Sequence, residues 1–202
     1  GFENVPYGNW ILREIKAAPA FVLNTENYAV NITEHEQVVE IIIENRFIVG
    51  SVQVTKTDAD YPENKLTGAE FEVYVDVDRN KEYDPEIDLL VDELTETEKG
   101  IYRLENLRYN GYFLHEKSAP EGFIKDDGYY YFEIKNDGEI VNVETEAGKG
   151  FINKPIKGEL VILKTDKHTG KVIEGVGFRV KDAEGNVVAE DYTNAEGIVK
   201  FT

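Results

Sequence analysis

The chain has no cysteine, no methionine and a single tryptophan in 202 residues. Without cysteine, neither a disulfide nor a thiolate metal site can staple the fold, and no redox compartment can be read. Methionine is missing even at position 1, which marks a fragment or a processed chain. Basic residues are scarce, 22 against 40 acidic ones, for a formal net charge of −18. Such a surface repels phosphate backbones, so a nucleic-acid partner is not expected. It suits a soluble, self-repelling surface protein, although solubility alone accounts for the charge equally well. No apolar run approaches the ~20 residues of a membrane span, so no membrane insertion is expected of this stretch. No secretory leader is visible. The histidines, His35, His115 and His168, are scattered without metal-ligand spacing. Gly170-Lys171 lacks the glycine-rich run of a phosphate loop, and no Gly-x-Ser-x-Gly stands near a histidine.

What the chain does have is an internal repeat. GSVQVTKTD at 50–58 returns as GELVILKTD at 158–166, an offset of 108 residues. ENLRYNGYFLHE at 105–116 is prefigured by ENVPYGNWILRE at 3–14, an offset of 102. Asn45 matches Asn153, and IEGVGFRV at 173–180 matches LTGAEFEV at 66–73. Residues 50–156 therefore read as one whole module of about 105 residues, large enough for a core of its own. Residues 1–49 repeat its second half and residues 157–202 its first half. Phe2-Glu3 and Phe201-Thr202 both align with Leu104-Glu105, so the two end pieces sum to a second module. Neither half can bury a sheet face alone.

Short alternating runs dominate: 51–55, 70–75, 101–104, 112–116, 129–134 and 139–143 read as strands. Turn signals separate them, and Asn136-Asp137-Gly138 between two alternating runs predicts a hairpin. Residues 86–97 offer the one modest helical periodicity. The fold class is all-β, with regularly spaced short strands that predict a sandwich. Within it, Lys56, Glu116 and Asn153 interrupt otherwise apolar strands, as do Lys164, Glu14 and Asn45 in the split copy. A lysine or glutamate in a strand usually lies on the solvated face. Recurrence in register, with apolar residues at alternate positions, argues for the other face.

VTKTD at 54–58, LHEKSAPEGF at 114–123 and FINKP at 151–155 resemble the first strand, glutamate box and last strand of Cna B-type domains. These are also called SpaA-like or prealbumin-like domains, and they occur in Gram-positive surface adhesins and pilins. The resemblance covers the whole chain, counting the split copy. It implies tandem immunoglobulin-like (prealbumin-like) β-sandwiches whose first and last strands are parallel neighbours. It also implies an intramolecular isopeptide bond that joins Lys56 to Asn153 under promotion by Glu116. The same chemistry carries over to Lys164 and Asn45 with Glu14. In the end copy, EIKAAPAF at 14–21 lacks the glycine of the box and shifts its proline, which bears on the loop geometry and not on Glu14 itself.

The chemistry is physically reasonable. Burial lowers a lysine pKa and raises a glutamate pKa, so a proton passing between them leaves a free amine. The carboxylic acid can then polarise the asparagine carbonyl and shuttle protons to departing ammonia. Contact between the groups supplies a high effective concentration. No cofactor is needed and each site reacts once, so no enzyme turning over other molecules is expected.

The resemblance implies an extracellular, cell-wall-anchored stalk of an adhesin or pilin. The alternative is a module that recognises a host matrix protein. Because strand one and the last strand run parallel, a module is entered and left at opposite ends, so the two split halves are expected to pair between molecules, head to tail. A weaker signal lies at DVDRNKEYD, 76–84: Asp76, Asp78, Asn80 and Asp84, with Asp88 beyond, space oxygens like the start of a calcium loop. Position 6 is Lys81 rather than glycine and position 12 is Ile87, so a solvated acidic loop is the simpler reading. The sequon Asn31-Ile32-Thr33 is read as chance in a bacterial family.

Overall fold

A computed structural model describes residues 3–202; Phe2, aligned above with Leu104, lies outside the described residues. The chain divides into two compact units, one reaching Pro155 and one spanning Ile156–Thr202. Among the described residues every regular element is a strand.

The first unit opens with an antiparallel ribbon of β1 (Gly8–Leu12) and β2 (Tyr28–Ile32). A sandwich follows, built from β3 (Val49–Asp58), β4 (Glu70–Val75), β5 (Leu89–Glu93), β6 (Thr95–Glu98) and β7 (Ile101–Arg108). It continues with β8 (Asn110–Ser118), β9 (Phe123–Ile124), β10 (Tyr129–Ile134), β11 (Ile140–Asn142) and β12 (Phe151–Pro155). One sheet has the order β10-β8-β4-β5; the other is β6-β7-β3-β12-β9, with β11 also on β3. β11 and β12 both run parallel to β3.

Between the sheets lie Val52, Val54, Phe71, Val73, Tyr102, Leu107, Tyr112, Leu114, Phe132, Ile134 and Phe151, all buried. The period of two decides what joins them. On β3, Val52 and Val54 face inward, so Lys56 does too. On β8, Tyr112 and Leu114 carry Glu116 with them. On β12, Phe151 carries Asn153.

Two local expectations fail. Residues 86–97 form no helix: Leu89–Glu93 pairs with β4 and Thr95–Glu98 with β7. Asp84 accepts the Glu86 N–H and Asp88 accepts the Asp84 N–H, a tight turn that leads straight into the strand, and the strand edges beside it take up the rest. The hairpin at 136–138 is also absent. Gly138, at φ 73°, turns the chain out of one sheet, and β11 joins β3 in the other. Val49 carbonyl accepts the Gly138 N–H at 2.7 Å, and Asp137 pairs with Arg46, so the turn is held from outside the would-be hairpin.

In the second unit, β13 (Leu160–Leu163) pairs with β16 (Ile198–Phe201), and β14 (Gly177–Lys181) with β15 (Val187–Tyr192). Val199 and Thr193 are buried, but Leu160, Val161, Leu163, Val187 and Val188 are exposed.

Candidate functional site

Lys56 and Glu116 are wholly buried and Asn153 is 2% exposed. They meet because β12 lies parallel to β3, with Phe151 opposite Lys56, while β8 crosses in the facing sheet. Lys56 Nζ lies 3.5 Å from Glu116 Oε1 and donates to the Phe151 carbonyl at 2.9 Å. Asn153 Nδ2 donates to Glu116 Oε2 at 2.9 Å. One carboxylate thus touches both the amine and the amide. Phe151 covers the amine, its ring centroid 5.0 Å from Nζ, and Phe71 and Tyr130 stand edge-on to Phe151. These rings keep water from the site.

The electrostatics follow from that enclosure. Burial pushes the Lys56 pKa down to about 8, against the upward pull of the Glu116 carboxylate. Two buried acceptors, Glu116 Oε1 and Asn153 Oδ1, lack a hydrogen-bond partner. A half-turn of the amide would bring Oδ1 to Glu116 Oε2, where a protonated Glu116 could donate to it. Such a cluster can move a proton from amine to carboxylate and bring the free amine to an amide polarised by an acid.

Sequence reasoning did not single out the residues that hold Glu116. The Asp126 N–H donates to Glu116 Oε2 at 2.8 Å, and Tyr130 Oη donates to Asp126 Oδ2 at 2.8 Å. Burial and that carboxylate push the Tyr130 pKa well up. The signal that could have found them is the repeat, since an offset of 102 aligns Asn24 with Asp126 and Tyr28 with Tyr130.

The end copy repeats this network. Asn45 Nδ2 donates to both Glu14 oxygens at 2.9 Å, and the Asn24 N–H donates to Glu14 Oε2 at 2.7 Å. Asn24 Nδ2 donates to Tyr28 Oη at 2.7 Å. The divergent loop keeps its turn as well. The Phe21 N–H donates to the Ala18 carbonyl at 3.2 Å, as Phe123 does to Pro120 at 3.1 Å. Ala20 takes φ 71° where its counterpart Gly122 has φ 83°, a conformation that costs an alanine about 1 kcal/mol or more. Lys164 follows β13 in the second unit. Its N–H donates to the Gly197 carbonyl and its carbonyl accepts from Ile173, as Lys56 does with Gly100 and Leu66. Of the acidic loop, the structure brings the carboxylates of Asp76, Asp78 and Asp88 together, that of Asp84 stays apart, and Asn80 Nδ2 donates to Asp78 Oδ2 at 2.9 Å.

The family model for the SpaA prealbumin-like fold domain matches residues 1–46, 50–149 and 158–202. Among solved structures, the Bacillus anthracis TIE protein superposes with a TM-score of 0.82 at 28% identity, over 98% of this chain. This chain spans 34% of that one, about a third of its length. The Streptococcal ancillary pilin matches with a TM-score of 0.39 at 17% identity, over 98% of this chain and 63% of its own. A mutant of the shaft pilin SpaA from Lactobacillus rhamnosus GG has a TM-score of 0.42 at 15% identity, over 75% and 82%. No curated protein matches the sequence.

Proposed function

The chain belongs to the SpaA prealbumin-like fold family, and from that premise we propose that it is a load-bearing stretch of a Gram-positive surface stalk, locked by self-formed isopeptide bonds. The observation that carries this reading is the buried Glu116 carboxylate in contact with both Lys56 and Asn153. Lys56 passes a proton to Glu116, and the free Nζ attacks Asn153 Cγ. A new C–N bond forms, the Cγ–Nδ2 bond breaks, and the nitrogen leaves as ammonia with protons returned by Glu116. The reaction consumes its own side chains, so it does not turn over. The product joins β3 to β12, the first and last strands of the sandwich. Tension entering at one strand then leaves by the other without unfolding the module, and a route open to proteases is closed. An extracellular, wall-attached position is where such a device is useful.

The same reading extends to the split copy. β3 and β12 are parallel, so the chain enters the sandwich at one end and leaves at the other, about 30 Å apart along β3. Only residues 156–159 join β12 to β13. The half at 157–202 therefore completes the half at 1–49 of another molecule, with Lys164 meeting Asn45 and Glu14. Two features support this. Residues 38–45, which align with the region of β11 and β12, form no strand and leave Ile42 89% exposed. Among the described residues, β13, the counterpart of β3, has a strand partner on one edge only, and Leu163 is 60% exposed.

The deciding experiment is the intact mass of the denatured protein, beside Glu116→Ala. Condensation of amine with amide removes about 17 Da. Loss of that mass in the wild type and its retention in Glu116→Ala are the expected results. A wild type at its full sequence mass would overturn the proposal.

A further inference from the structure

A second cluster, unused by the cross-linking chemistry, lies in the loop between β4 and β5. Asp76 follows β4 directly and is fully buried. Its Oδ2 accepts the Lys81 N–H at 3.3 Å, whereas its Oδ1 is buried with no hydrogen-bond partner. An ionised oxygen in that state is costly unless a cation or donor meets it. Asp78 and Asp88 each bring a carboxylate oxygen to the same spot, the three atoms lying within 4.8 Å of one another. Asp88 is buried too. Its two oxygens accept the Val77 N–H at 3.0 Å and the Asp84 N–H at 2.8 Å, which fixes its orientation. Three acids so close repel one another. Among the described residues no lysine or arginine pairs with any of them; Lys81, whose N–H reaches Asp76, has its Nζ 3.3 Å from Glu133 instead.

We propose that Asp76, Asp78 and Asp88 hold one calcium ion. The donor set is all oxygen, without histidine or cysteine, and suits a hard divalent cation rather than a transition metal. Calcium accepts six to eight oxygens in adaptable geometry, which backbone carbonyls and water can complete; magnesium demands a stricter octahedron. Asn80 and Asp84 shape the loop instead, because their Oδ1 atoms accept the N–H groups of Glu82 and Glu86. The ion ties the end of β4 to the start of β5, and so pins two neighbouring strands of the sheet that also carries Glu116.

The test is a calcium chloride titration of the intact chain after EDTA treatment, followed by thermal unfolding and by tyrosine-sensitised terbium luminescence. One saturable site is expected, with terbium displaced by calcium. Tm should rise by roughly 5–10 °C at a hundredfold excess over Kd. The Asp78 side chain bonds only to Asn80, so Asp78→Ala should match the wild type in EDTA and lose about tenfold or more in affinity. Asp76→Asn removes the unpaired charge: in EDTA it should melt at or above the wild type, and calcium should not move it. Absence of binding at millimolar calcium, or binding unchanged by both substitutions, would overturn the assignment.

Discussion

An ammonium group gives up its hydration on entering a sandwich core. Lys56 regains two contacts there, the Phe151 carbonyl and the Glu116 carboxylate. Burial outweighs them and holds its pKa at about 8 rather than 10.5. The consequence is testable in Asn153→Ala, which cannot cross-link and leaves the amine titratable. Between about pH 8 and 10.5 the folded lysine has lost its proton while the unfolded one retains it. The unfolded state then binds more protons, so stability rises with pH across that window, by on the order of 3 kcal/mol. Urea midpoints measured across it should climb in Asn153→Ala and stay level in the wild type once the proposed condensation has turned the amine into an amide. A level profile in Asn153→Ala would mean that Lys56 is not desolvated. The three residues proposed to react are legible in the sequence because each breaks an apolar alternation and recurs in register. Asp126 and Tyr130 are not, because the Lys125-Asp126-Asp127-Gly128 run reads as a polar turn. Only the fold turns its backbone N–H toward Glu116.

The strand elements make that encounter possible, and β12 is the demanding one. Gly150 precedes it at φ 83°, and a Cβ there would lie 2.4 Å from the Thr55 carbonyl oxygen on β3. Gly150→Ala should cost about 1–3 kcal/mol through strain and through the displacement of β12. The measurement is the urea midpoint with and without Gly150→Ala in an Asn153→Ala background. In the otherwise wild-type chain, the same substitution should leave a fraction of molecules that keep their ammonia. An unchanged midpoint with complete condensation would show that β12 can be placed without this close approach. At this scale the sequence was a good guide to strands and a poor one to partners. The bounds of β4 and β10 coincide with the alternating runs at 70–75 and 129–134. The hairpin at 136–138 failed because its turn is held by Arg46 and Val49, residues remote in sequence that local turn chemistry cannot see. The helical reading of 86–97 failed because Leu89, Leu90 and Val91 lie on a strand paired with β4, a case of tertiary context overriding weak periodicity.

For the whole molecule, a net charge of −18 works against the proposed head-to-tail contacts. Assembly should therefore quicken as salt screens the repulsion between chains, the Debye length falling to about 10 Å at 0.1 M. A denaturing gel of the wild type at high protein concentration should show a covalent ladder, denser at higher ionic strength. Paired substitutions separate this from closure within one chain. Lys164→Ala keeps the acceptor half with Glu14 and Asn45, and Asn45→Ala keeps the donor half with Lys164. Each alone should remain a monomer that has lost one ammonia, through Lys56 and Asn153. Mixed in equal amounts, the two can make one junction and no more, since every further step needs a group that one of them lacks. The mixture should thus stop at a covalent dimer. If the ends closed within a chain, the wild type would be a monomer short of two ammonia molecules, and the mixture would give no dimer.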